Sequence, residues 1–167
     1  MVLRKSRRAT RPESAADAEE IRSAAIALLA RRDFASGELR QKLQAKGYER
    51  EVVATVLQDL ANSRMLDDAR FATNYATYHA GRGRGPIRIA ADLRALDVSA
   101  ELIEAALACG LDWAALAREQ RGRRFGQRAA ESRVEKARQA RFLQYRGFSS
   151  DHIRAALGAD LDSDLQT

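Results

Sequence analysis

The chain has 167 residues, 46% of them apolar and 31% charged, with 29 Lys and Arg against 23 Asp and Glu, a net charge of +6. Those fractions suit one domain or a short array of small units and exclude a disordered chain. Only Pro12 and Pro86 interrupt long stretches rich in Ala, Leu, Arg and Glu, which excludes collagen-like and β-sandwich folds and favours helices.

In chain order, residues 1–13 form a basic segment (Arg4, Lys5, Arg7, Arg8, Arg11) that reads as a flexible start. Asp17, Glu19, Glu20 and Arg22 follow it, so it leads into no apolar signal segment. The apolar run from Ser23 to Ala30 is closed by Arg22 and Arg31, far short of the ~18–20 residues a membrane span needs. A single cysteine, Cys109, can form no internal disulfide, and a cytoplasmic location is expected. A first helix is predicted from about Ser14 to Arg32, with Ile21, Ala25, Leu28 and Leu29 facing inward.

From there the chain matches itself at an offset of fifty. Leu43, Leu93 and Leu143 align, then Gly47, Asp97 and Gly147, then Tyr48, Val98 and Phe148. Val53, Ile103 and Ile153 follow, and Leu57, Leu107 and Leu157 complete the series. The second column falls where a helix stops, since that residue often takes a left-handed conformation open to Gly and, less readily, Asp. Ser99 and Ser149 then stand ready to cap the next helix, whose apolar pair is spaced i, i+4.

One more helix precedes each pair. In the second unit it runs from about Asp68 to Ala80, capped by Asp67 or Asp68, with Phe71, Tyr75 and Tyr78 as its inner face. In the third it starts near Asp112 and includes Trp113 and Leu116. The fold expected is all-α, with three tandem three-helix repeats in an elongated, curved array: 14–63, 64–110 and 111–158, followed by an acidic tail at 159–167.

Gly81-Arg82-Gly83-Arg84-Gly85-Pro86 is the most conspicuous local feature. It lacks the strand before it and the Gly-Lys-Ser/Thr end of a phosphate cradle. It is read either as a mobile basic contact loop, with Arg88 beside it, or as a plain connection opening a helix at Pro86. Residues 118–146 hold ten basic and three acidic groups, a net +7. Arg118, Arg121, Arg123, Arg124, Arg128, Arg133, Lys136, Arg138 and Arg141 could grip acidic protein surfaces or a nucleic-acid backbone, and composition does not choose between them. Phe142, Leu143, Tyr145 and Phe148 at the end of this stretch are assigned to the core rather than to base stacking. His79 and His152 have no second ligand at metal spacing, and no nucleophile stands beside a base, so no catalytic, cofactor or metal site is expected.

Several short motifs, in one order, resemble the RecX family of bacterial recombinase regulators. They are Leu28-Leu29-Ala30-Arg31-Arg32-Asp33 with Glu38-Leu39-Arg40-Gln41-Lys42-Leu43 and Lys46-Gly47, then Met65-Leu66-Asp67-Asp68-Ala69-Arg70-Phe71-Ala72. Gly83-Arg84-Gly85-Pro86-Ile87-Arg88-Ile89, Asp92-Leu93, Asp112-Trp113-Ala114-Ala115-Leu116-Ala117-Arg118 and Phe142-Leu143-Gln144-Tyr145-Arg146-Gly147-Phe148 continue the series over about residues 20–158. Two positions depart from the family pattern: Ala35 stands where a capping Ser is common, leaving Ser36 as a cap from a shifted position, and Asp97 replaces a Gly.

The resemblance implies a non-catalytic regulator, acting as a monomer without cofactor or membrane. It would bind the RecA filament on single-stranded DNA and lower its recombinase, ATPase and co-protease activities, and with them DNA repair and the SOS response. The alternative is a basic helical module that binds DNA directly.

Overall fold

A computed structural model describes residues 11–158, with side chains from Asp17 onward. The expected basic start, up to residue 10, and the acidic tail at 159–167 lie outside the described residues. Within them the chain is all-helical, with nine helices: α1 (Arg11–Leu29), α2 (Ser36–Ala45), α3 (Arg50–Asn62), α4 (Asp68–Gly81), α5 (Pro86–Ala95), α6 (Ala100–Ala108), α7 (Trp113–Phe125), α8 (Arg133–Arg146) and α9 (Ser150–Leu157). They fall into two compact units, one ending at Asp68 and the other beginning at Ala69. The first holds α1–α3. The second holds α4–α9, the helices of the second and third repeats.

Columns of the repeat recur in the structure. Leu43, Leu93 and Leu143 are completely buried, and Val53, Ile103 and Ile153 are buried beside them. The stops take the left-handed conformation, with φ of +93° at Gly47, +63° at Asp97 and +92° at Gly147. Asp97 holds there a conformation that only Gly adopts at no cost. After each of the last two stops the chain folds back, and the amides of Val98 and Phe148 donate to the carbonyls of Leu93 and Leu143 at 3.2 and 3.1 Å. That bond satisfies an orphan carbonyl of the ending helix and seats the next apolar residue on its last turn.

Ser99 and Ser149 cap α6 and α9 as expected, accepting from the amides of Leu102 (3.4 Å) and His152 (3.3 Å). At Ser149 the bond is reciprocal, because the Ser149 amide donates to Nδ1 of His152 at 3.3 Å, so His152 plays the part Glu or Gln plays in a capping box. Asp112 caps α7 and Ser132 caps α8 in the same way.

In the first unit, Ile21 and Ala25 of α1, Leu39 and Leu43 of α2 and Val53, Leu57 and Leu60 of α3 form one core with Phe34 and Leu66. Leu28 and Leu29 are half-buried at its edge. Arg32 grips Glu38 with both nitrogens (2.5 and 3.1 Å) and lies 3.7 Å from the centre of the Phe34 ring. The start of α2 differs from expectation. Neither Ala35 nor Ser36 caps it with a side chain; instead the Ser36 amide donates to Oδ1 of Asp68 at 2.7 Å. Asp68 therefore supplies from 32 residues away an acceptor for the first amide of α2, with its charge at the helix's positive end. Ala35 itself is completely buried.

In the inner face of α4, Tyr78 proves exposed (57%), while Phe71, Ala72, Ala76 and Ala80 are the buried positions. Small residues let neighbouring backbones come close, and the periodicity of the aromatics concealed that.

Replacing Asp68 by Ala removes a charged acceptor from a helix start and is expected to lower stability by about 1 kcal/mol. Urea unfolding checks the size. Faster hydrogen exchange at the Ser36 amide, with little change at Leu102, identifies the lost bond as the cause.

Candidate interaction surface

The Gly-Arg loop between α4 and α5 docks through its backbone on the third repeat. The Gly85 amide donates to the Arg146 carbonyl at 2.8 Å, and the Ile87 amide donates to the Gly147 carbonyl at 3.0 Å. Strand-like pairing of this kind between a helix entry and a helix exit needs two backbones nearly in contact. A Cβ on Gly85 would collide with the Gly147 carbonyl group, and one on Gly147 would stand 2.5 Å from Cβ of Arg88. Arg146 closes the seam by donating through Nη1 to the carbonyls of Arg82 (3.3 Å) and Gly83 (3.5 Å).

The seam sorts the three arginines expected to be exposed together. Arg84 is half-buried and pairs with Asp92 of α5 at 2.5 Å, so it is part of the fold. Arg82 and Arg88 are exposed, their guanidinium groups 4.8 Å from the Tyr78 ring and 5.8 Å from the Tyr145 ring. Under the loop, His79 packs against Tyr75 at 4.1 Å and Tyr78 at 5.1 Å, and its buried Nδ1 has no hydrogen-bond partner among the described residues. Burial, then the positive charge of Arg84, hold its pKa below the ordinary 6.5; Asp92 opposes and Arg82 adds to the lowering.

The basic stretch divides likewise. On α7, Arg118 and Arg124 are exposed, Arg123 pairs with Glu119 at 2.5 Å, and Arg121 is half-buried, donating to the Arg128 carbonyl at 3.3 Å. Arg128 stands exposed in the turn before α8. On α8, Arg133 and Arg141 are exposed and Lys136 is half-buried. Arg138 bonds Glu135 at 3.0 Å and lies 5.2 Å from the Phe125 ring. Glu135 also accepts from Gln139 at 3.0 Å, and that bond first, with the bond and charge of Arg138, holds its pKa below the usual carboxylate range.

Phe142, Leu143 and Phe148 face the third-repeat core with Ala117, Ile153 and Trp113, but Tyr145 does not: it is 80% exposed. With Val134, which is 77% exposed, it ends a row at positions 134, 138, 141 and 145 on the side of α8 opposite Leu143. The seam brings Arg88 over Tyr145, so one surface collects Arg88, Arg138 and Arg141 around two exposed apolar groups. The remaining basic residues of the set lie on α7, in the turn after it, or on other sides of α8. The 134–138–141–145 spacing was visible in the sequence; what concealed it was the assignment of Tyr145 to the core by its aromatic neighbours. Among the described residues no three His, Cys, Asp or Glu side chains converge, and no helix is long and apolar enough to cross a membrane.

Two outcomes check this geometry. Gly85→Ala should destabilise the second unit by about 1–3 kcal/mol through overpacking at the seam, whereas Gly81→Ala, with open space around its Cβ position, should be neutral or slightly stabilising. Paired thermal melts measure both. For His79, the folded chain binds the proton more weakly than the unfolded chain, so unfolding takes up a proton once pH drops below about 6.5. Stability is full above that value and falls as pH is lowered through it towards the depressed folded pKa. The melting temperature should therefore drop more between pH 7.5 and 5.5 for the unmodified chain than for His79→Gln.

Known proteins supply the context for these repeats. Family models match in order: "RecX, first three-helix domain" over residues 22–60, "RecX, second three-helix domain" over 67–107 and "RecX, third three-helix domain" over 112–157. The chain is 43% identical to the regulatory protein RecX of Halorhodospira halophila over 153 residues, 91% of this chain and 95% of the relative. It is 41% identical to that of Vibrio vulnificus over 134 residues, 80% and 88% of the two chains. The fold is similar to a crystal structure of RecX from Lactobacillus salivarius, with a TM-score of 0.74 at 21% identity over 89% of this chain and 99% of the other. Three matched domains, in the order and places where the helices repeat, and close relatives over nearly the full length leave one conclusion: the chain belongs to the RecX family of regulatory proteins.

Proposed function

We propose that this chain is a non-catalytic, monomeric cytoplasmic regulator that binds the RecA filament on single-stranded DNA and inhibits its recombinase, ATPase and co-protease activities. DNA repair, recombination and the SOS response would be modulated as a result. Membership of the RecX family carries the reading. The arginines of α7 and α8 support it: several are exposed on consecutive helices, and contacts too weak singly to hold a partner gain strength when made together along a repeating polymer.

The same arginines favour a second reading, direct binding to DNA, because a guanidinium forks onto a phosphate as readily as onto a carboxylate. Salt separates the two. Affinity for bare single-stranded DNA should fall by about 0.7 log units per log of salt for each phosphate neutralised. A flat salt response removes this reading.

For the first reading, the chain should co-sediment with RecA on single-stranded DNA and slow RecA ATP hydrolysis at stoichiometric amounts; failure of both rejects it. Replacing Arg124, Arg128 and Arg141 together by Gln removes three exposed charges. At about 0.5 kcal/mol each, roughly tenfold more protein should be needed for half-inhibition, with an unchanged melting temperature.

A further inference from the structure

The row along α8 has an apolar group at each end and two cations between them. Val134 and Tyr145, the two most exposed large apolar side chains described at 77% and 80%, stand about 16 Å apart along the helix. Arg138 and Arg141 lie between them, and the seam sets Arg88 over the Tyr145 ring. Arg141 uses Nε on the Ala137 carbonyl, and among the described residues neither Arg88 nor Arg141 meets a carboxylate. The face therefore attracts an anionic partner.

A second copy does not fit it. Two α8 rows packed about a two-fold axis would set Arg138 against Arg141 twice, and like charges in contact repel. An acidic protein surface fits poorly as well, because a protein interface gathers its apolar groups into a core depleted of charge, whereas here the charges are the centre. Single-stranded DNA has the matching order of parts. Its backbone brings phosphates, onto which guanidinium groups fork, and its bases bring flat faces that stack on an aromatic ring whatever their sequence. A duplex keeps those faces inside its own stack, so an exposed ring distinguishes a single strand from a double one.

We infer that Tyr145 is a stacking platform for one base of single-stranded DNA, with Arg88, Arg141 and Arg138 holding the phosphates beside it. The inference rests on the direct-DNA reading and deepens it: arginines alone hold the backbone of any nucleic acid, and Tyr145 adds a contact that only an unstacked base can make. The Arg88 guanidinium lies 5.8 Å from the ring centre, and with 80% of Tyr145 exposed there is open ring surface beside it. That guanidinium also restrains the ring before the base arrives, which lowers the cost of binding. Arg138 shares its charge with Glu135 at 3.0 Å and is the weakest of the three cations. Val134, at the far end of the row, gives a second base an apolar contact.

The test uses the full chain and two labelled probes: an oligothymidylate of about ten nucleotides, and an abasic oligomer of the same length that keeps the phosphates and lacks the bases. In fluorescence anisotropy at low salt the unmodified chain should bind the first about tenfold more tightly, the effect of one stacked base. Tyr145→Ala should erase that preference and Tyr145→Phe should keep it, with the melting temperature unchanged in both. Arg141→Gln should weaken both probes alike and lower the salt slope by about 0.7, leaving the preference intact. Equal, salt-sensitive binding of both probes by the unmodified chain overturns the inference and leaves the direct-DNA reading standing; binding of neither removes both. A preference that survives in Tyr145→Ala also overturns it, and if that variant has lost inhibition of RecA ATP hydrolysis, the face belongs to a protein partner.

Discussion

The second unit depends on two backbones meeting at Gly85 and Gly147. Gly147 does two things there: with φ at +92° it ends α8 in a left-handed stop, and its carbonyl, turned outward by that stop, receives the Ile87 amide. Gly85 leaves the room for this approach, since any side chain would meet the Gly147 carbonyl. The two hydrogen bonds satisfy amides at the start of α5 that no earlier turn of helix can reach. The seam is made chiefly of backbone groups, and of the arginines beside it Arg82 and Arg88 stay exposed.

Which arginines remain available follows from the same geometry. Arg84 and Arg146 flank the seam and are taken up by it, one by Asp92 and the other by the carbonyls of residues 82 and 83. Arg82, two residues before Arg84, and Arg88, one residue after Ile87, are exposed and lie over Tyr78 and Tyr145. Net charge alone, +7 over residues 118–146, says nothing of this division, and counting every arginine there as a contact would have overstated the surface.

The repeat was legible in the sequence because its signals are local. A leucine four residues before a left-handed stop, and an i, i+4 apolar pair after it, are fixed by helix geometry wherever they occur, and Leu43, Leu93 and Leu143 are all completely buried. What escaped depends on partners far along the chain. Asp67 or Asp68 reads as the cap of the following helix, yet the Asp68 carboxylate serves α2, because a carboxylate goes to whichever orphan amide the fold brings near. The loop at 81–86 reads either as a flexible contact or as a plain connection because glycine permits motion, whereas Gly85 is there for closeness. Tyr78 and Tyr145 carry the spacing of an apolar face, and only the small buried residues Ala76, Ala80 and Gly147 reveal that the close packing lies on the other side.

The use of arginine rather than lysine on these helices has a further consequence. A guanidinium near an aromatic ring is attracted to its π-face and still offers its N–H groups to an anion in its plane. Arg82 by Tyr78, Arg88 by Tyr145 and Arg138 by Phe125 are all exposed arginines within 5.8 Å of ring centres. A lysine ammonium, strongly hydrated and free to rotate, would lose more freedom and more water on meeting the same anion. Ring contacts therefore lower the entropic cost of each exposed cation before any partner arrives. Weak, salt-sensitive contacts built from such groups can be made and released one at a time, which suits a regulator better than a single tight site would.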